Sequence, residues 1–114
     1  MSAYNYYFKL GEMPIRKYKD VSNTGNVVVW TPLTSTRIVL TNLEVASNLG
    51  GTIQFYFGGA NQIKLAEFSI KASTSISPVL SGWESTAVDA PLYVNASQSG
   101  TNGWTITAEG FKLI

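Results

Sequence analysis

The chain has 114 residues, eight basic and seven acidic, and contains neither histidine nor cysteine. Its length fits one domain with a self-sufficient core, and the two missing residue types exclude a disulfide framework, thiolate or imidazole metal ligands, a thiol nucleophile and a histidine general base. A formal charge of +1, with charged residues at 13% against about 25% in an average soluble domain, leaves no basic footprint for nucleic acid, so no such partner is expected.

The first ten residues, "MSAYNYYFKL", hold no basic leader, and Asn5 and Lys9 interrupt their apolar run, so no signal peptide is expected. Nowhere do about 18 apolar residues run together, and no membrane partner is expected. The arm "AYNYYFKLGEMPIRKYKD" concentrates Tyr4, Tyr6, Tyr7, Phe8 and Tyr18. A strand that turns Tyr7 inward turns Tyr6 and Phe8 outward, so both faces expect cover, and tyrosine suits an interface because it buries a ring and keeps a polar tip. Arg16, Lys17 and Lys19 with Asp20 form a small basic cluster that reads as a solvated turn, with a contact surface as the alternative. Two weak strands are expected here, Tyr4 to Lys9 and Ile15 to Lys19. A boundary near "VSNTGN" then divides an N-terminal aromatic and basic arm, residues 1–25, from a β-sandwich domain, residues 26–114.

Beyond that boundary period-two alternation dominates, and almost no helix is expected. "NVVVWT" is a short buried run closed by Pro32. In "TRIVLTNLEV", Ile38 and Leu40 share the core face and Arg37, Val39 and Thr41 the other. Leu43 and Val45 also turn inward, so the phase slips near Asn42 by a bulge or bend. "TIQFYFGG" sets Ile53, Phe55 and Phe57 against Thr52, Gln54 and Tyr56, and "GGAN" leads into "QIKLAEFSI" as a hairpin. Ile63 and Leu65 share one phase, Phe68 and Ile70 the other, which predicts a second irregularity near Ala66. "STSISPVL" is a short strand that Pro78 confines to an edge or an end, and "SGWESTAVDAP" reads as a loop.

"PLYVNAS" and "GWTITAE" alternate around "QSGTNG", which predicts a closing hairpin with Leu92, Val94, Ala96, Trp104, Ile106 and Ala108 inward. Gly110 then shifts the phase, so that Phe111 and Leu113 finish the core face. The sum is an all-β chain of about eight or nine short antiparallel strands, a β-sandwich or small barrel. A jelly-roll-like arrangement is one of the few that limit exposed edges at this strand count.

Candidate chemistry is sparse. Glu44, Glu67 and Glu109 lie on predicted strands, and glycoside hydrolysis needs two carboxyl groups about 5 to 9.5 Å apart, but each also fits a solvent-facing position. No catalytic residue is assigned, and the chain reads as a non-enzyme. Glu84 and Asp89 share a loop yet lack the spacing of a dedicated calcium loop, so no metal and no cofactor is assigned. No serine has a histidine partner or a "GxSxG" elbow. Trp30 and Trp104 alternate with apolar neighbours and read as core. Trp83, in "SGWES", has three readings: it caps the sandwich, packs on a partner, or stacks a sugar.

The succession "TPLTSTRIVLTNLEV", "GGTIQFYFGG", "FSIKASTSISPVL" and "DAPLYVNASQSGTNGWTITAEGFKL" resembles small jelly-roll proteins of tailed-phage virions, such as capsid decoration proteins and fibre-associated modules, over residues 31–114. The resemblance implies a structural virion protein made in the host cytoplasm without a signal peptide and released by lysis. It implies a homo-oligomer, a trimer, that cements the shell by binding the major capsid or another virion protein through aromatic and polar contacts. Tyr4, Tyr6, Phe8, Arg16, Lys17 and Trp83 are the interface candidates, on exposure arguments. The N-terminal arm departs from the pattern. The alternative is a carbohydrate- or receptor-binding module of a phage fibre, in which Trp83 stacks a surface glycan.

Overall fold

The computed structural model describes residues 14–58, 63–80, 83–85 and 87–113. Nine strands lie among them: β1 (Ile15–Val21), β2 (Gly25–Trp30), β3 (Arg37–Ser47), β4 (Gly51–Phe57), β5 (Ile63–Ile70), β6 (Thr74–Ile76), β7 (Trp83–Glu84), β8 (Leu92–Ala96) and β9 (Trp104–Leu113). No described residue is helical. One sheet, A, runs β1-β9-β3-β6 with β7 also on β3, and the other, B, runs β2-β8-β4-β5. Every ladder is antiparallel. β6 pairs with Val45 to Ser47 and β7 with Val39 and Leu40, so the two pieces form one broken edge strand along β3, interrupted around Pro78. The pairs β1 with β9, β2 with β8, β3 with β6 and β7, and β4 with β5 alternate between the sheets. That is the wrapped double Greek key of a jelly roll.

Alternation explains which residues meet between the sheets. Ile38, Leu40, Leu43 and Val45 of β3 and Trp104, Ile106 and Ala108 of β9 join Ile53, Phe55 and Phe57 of β4 and Leu92, Val94 and Ala96 of β8 in one core cluster, with Trp30. The buried indole of Trp104 donates from Nε1 to the Gln98 carbonyl at 3.1 Å, which satisfies its polar atom. Both expected phase slips are bulges. Leu40 faces Gly110 and Asn42 faces Glu109, leaving Thr41 as the extra residue, and its Oγ1 donates to the Glu109 carbonyl at 3.1 Å. Phe55 faces Ala66 and Tyr56 faces Lys64, so Leu65 is the extra residue of β5.

Other expectations need correction. The tail is not a hairpin: β8 pairs with β2 and β4, β9 with β1 and β3, and "QSGTNG" carries the chain from one sheet to the other. Asn102 in that crossing does adopt a left-handed φ of 49°. Nor does Gly110 shift β9. Phe111 lies opposite Val39, out of phase with Ile38 and Leu40, and both are buried outside the core cluster, on the far side of sheet A. In "NVVVWT", Val28 is exposed, because it alternates with Val27, which faces Val94 and packs against the core, and only after a register shift between Val28 and Trp30 are two successive residues, Val29 and Trp30, buried. Trp83 and Glu84 form a short strand where a loop was expected. The stretch expected as an arm contributes β1, whose seven residues pair with Trp104 to Gly110, so residues 15–21 are part of the sandwich. The strand expected from Tyr4 to Lys9 lies outside the described residues.

Candidate functional site

The interface candidates do not form one patch. Tyr4, Tyr6 and Phe8 lie outside the described residues. Arg16 and Lys17 are neighbours on β1 and so point to opposite sides of it. The basic cluster is thus part of a strand and not a solvated turn, and among the described residues that strand ends its sheet; four of its seven residues, Arg16, Lys17, Lys19 and Asp20, are charged and exposed, which guards a sheet edge against pairing with another chain. Trp83 is half-buried, faces Leu40 across the β3 ladder and packs against the core cluster, the capping position among its three readings.

On the outer face of sheet A, Arg16 Nε stands 3.4 Å from Glu109 Oε2, and Asn42 Nδ2 donates to Glu109 Oε1 at 3.1 Å. One residue pair along, the Tyr18 hydroxyl donates to Asp20 Oδ1 at 3.0 Å and Thr105 Oγ1 donates to the same oxygen at 3.3 Å. Arg16, Asn42, Glu44, Thr107 and Glu109 line a shallow hollow of about 240 Å³. The Arg16 side chain is 72% exposed, so its ion pair contributes about 0–1 kcal/mol to folding and remains open to a partner. Lys17, on the other side of β1, lines a smaller recess of about 140 Å³ at the end of the sandwich with Ile15, Trp30, Leu33, Arg37 and Lys112.

The outer face of sheet B is built differently. Strand register sets two rows across its four strands: Asn26, Asn95, Gln54 and Glu67 in one, and Val28, Tyr93, Tyr56 and Lys64 in the next. In the first row Asn95 Nδ2 donates to Asn26 Oδ1 at 3.0 Å, and Gln54 Nε2 donates to Glu67 Oε1. The Tyr56 hydroxyl donates to Gln54 Oε1, and Lys64 Nζ lies 3.5 Å from Glu67 Oε1. The Gln54 amide, and then the Lys64 charge, hold the Glu67 carboxyl below the usual carboxylate range. Tyr93 leans the other way along β4: a Cβ on Gly58 would stand 1.8 Å from its Cε2 and 2.4 Å from its Cδ2, so the ring fills the space that glycine leaves open.

The expected carboxylates are dispersed. Glu44 and Glu109 share the outer face of sheet A, whereas Glu67 is on that of sheet B. Asp89 Oδ1 accepts from the Ser35 amide at 2.7 Å, and Glu84 lies opposite Val39 on β7. Among the described residues no group of three or more His, Cys, Asp or Glu stands together. Sequence reasoning turned Tyr56 outward but did not single out Tyr93. An outward tyrosine on each of two strands was the available signal; what brings them side by side is a ladder between segments far apart in sequence. Against known proteins, the sequence matches no family model and no curated relative.

Proposed function

We propose that this is a structural protein of a tailed-phage particle, one that binds the shell surface as a trimer and holds by contact area and hydrogen bonds. A capsid decoration role fits best. The observation that carries the reading is the outer face of β1, β9 and β3, where Arg16, Tyr18, Asp20, Asn42, Thr105 and Glu109 form an ordered polar surface reaching to β1, the strand that ends this sheet among the described residues. Arg16 pairs with Glu109, Asp20 is held by the Tyr18 and Thr105 hydroxyls, and Glu44 adds a further carboxylate, so the face is mildly acidic. Docking there trades solvent for directional hydrogen bonds to a partner that brings donors, the mode of a wet, polar interface.

The test is light-scattering mass in solution together with co-sedimentation on particles of the source phage. A trimer mass and saturable pelleting are expected, with pelleting weakened in Arg16→Glu while its unfolding midpoint stays near that of the unmodified protein. A monomer at every concentration, with no pelleting, would overturn the reading.

A further inference from the structure

We propose that the outer face of the β2-β8-β4-β5 sheet is a binding site for a neutral glycan, an oligosaccharide chain lying along β4 over Tyr56 and Tyr93. The argument begins with shape. Tyr56 reaches back toward Gln54 and Tyr93 reaches forward over Gly58, so the two rings fan out in opposite directions along one strand. From 54 to 58 that strip is about 13 Å long, at roughly 3.3 Å per residue. Both tyrosines are half-buried, held by neighbours yet open on one side. A sugar ring has an apolar C–H face that an aromatic face covers well, and hydroxyls around its rim that need donors and acceptors together.

The neighbouring row supplies both. Asn26, Asn95 and Gln54 carry amides, groups with a donor and an acceptor a few ångströms apart. Asn95 bonds Asn26, and Gln54 bonds Glu67 and Tyr56, which fixes the amides before any ligand arrives, so less side-chain entropy is lost on binding. Among the described residues the Asn26 amide nitrogen and the Asn95 carbonyl oxygen make no protein hydrogen bond, and these are the groups offered to vicinal hydroxyls.

Charge selects the occupant. Of the eight side chains in the two rows only Lys64 and Glu67 are ionised, and they pair with each other. An anionic glycan or a nucleic acid meets no excess of cations here, and a basic peptide meets no excess of acids; a neutral polyhydroxyl chain meets amides and rings. The Trp83 site expected for sugar stacking is occupied by packing against the core, whereas this face lies on the opposite sheet. The inference stands apart from the particle-binding reading, which uses the outer face of sheet A.

The test is an amide-resolved NMR titration of the full chain with cellohexaose, maltohexaose and mannohexaose, and with a chondroitin sulfate hexasaccharide as the anionic probe. At least one neutral hexasaccharide is expected to give saturable shifts centred on Gln54, Tyr56, Tyr93 and Asn95, with a dissociation constant of about 1 mM or tighter. Tyr93→Ala and Tyr56→Ala should each weaken it at least about tenfold. Gly58→Ala, which leaves both tyrosines in the chain but displaces the Tyr93 ring, should weaken it as well and guards against misreading a folding defect. Absence of binding by all three neutral probes, shifts centred on sheet A, or tighter binding of the sulfated probe would overturn the proposal.

Discussion

Replacing Gly110 with alanine strikes the closest backbone approach at any described glycine. A Cβ there would stand 1.9 Å from the Val39 carbonyl oxygen, 2.9 Å from its carbonyl carbon and 3.1 Å from the Leu40 Cα. Carbon and oxygen settle no nearer than about 3.3 Å, so β9 and β3 must part locally by more than about 1 Å. None of the atoms struck can rotate away, and they lie in a ladder of ten registered pairs that joins the two central strands of sheet A. Overpacking a close-fitted site costs about 1–3 kcal/mol, and a collision confined to backbone belongs at the upper end, about 3 kcal/mol. That is a large share of a total stability of about 5–15 kcal/mol. At roughly 4 °C per kcal/mol, the thermal midpoint should fall by about 12 °C. Gly58→Ala is the matched control, because all three of its nearest contacts are Tyr93 ring atoms that can swing aside; it should cost less than about 1 kcal/mol. Urea denaturation followed by tryptophan fluorescence measures both. If Gly110→Ala lies within about 0.5 kcal/mol of the unmodified protein, or costs less than Gly58→Ala, the reasoning fails.

Two further outcomes follow from side-chain placement. Trp83→Ala removes a half-buried cap from the core edge and should cost about 1–2 kcal/mol, below the range for a fully buried tryptophan, while leaving hexasaccharide binding on sheet B unchanged; loss of that binding would return Trp83 to the site. Gln54→Ala removes the largest cause of the low Glu67 pKa, so the carboxyl titration followed by NMR should move up toward the ordinary value. The folded pKa of Glu67 lies below its unfolded one, so its stabilising effect is complete above the unfolded pKa and is lost as pH falls through the folded one. In Gln54→Ala that acid-side pH dependence should flatten, and an unmoved Glu67 midpoint would contradict the assignment.

Periodicity made the sheets legible because one face of every central strand is greasy. It located both bulges, since an extra residue at Thr41 or Leu65 flips the phase of everything after it. It placed Trp30 and Trp104 in the core for the same reason. Phase alone could not assign the flip to the right strand or find a second buried layer: Phe111 follows a glycine on a regular β9 and is buried with Val39 on the far face. Local turn chemistry misled at "QSGTNG", where residues suited to a hairpin serve a crossing between sheets, because φ > 0 relieves either bend. The candidate surfaces were the least legible part. Arg16 meets Glu109 across 93 positions of chain, and Asn26 meets Asn95 across 69, and nothing local encodes such pairings.

Electron cryomicroscopy of the phage particles proposed to carry this chain tests the proposed adhesive role most directly. Trimers of this β-sandwich are expected on the outside of the shell, with the β1, β9 and β3 face and its Arg16, Tyr18 and Glu109 turned toward the underlying subunits. Particles whose reconstructed surface lacks the sandwich altogether would contradict it.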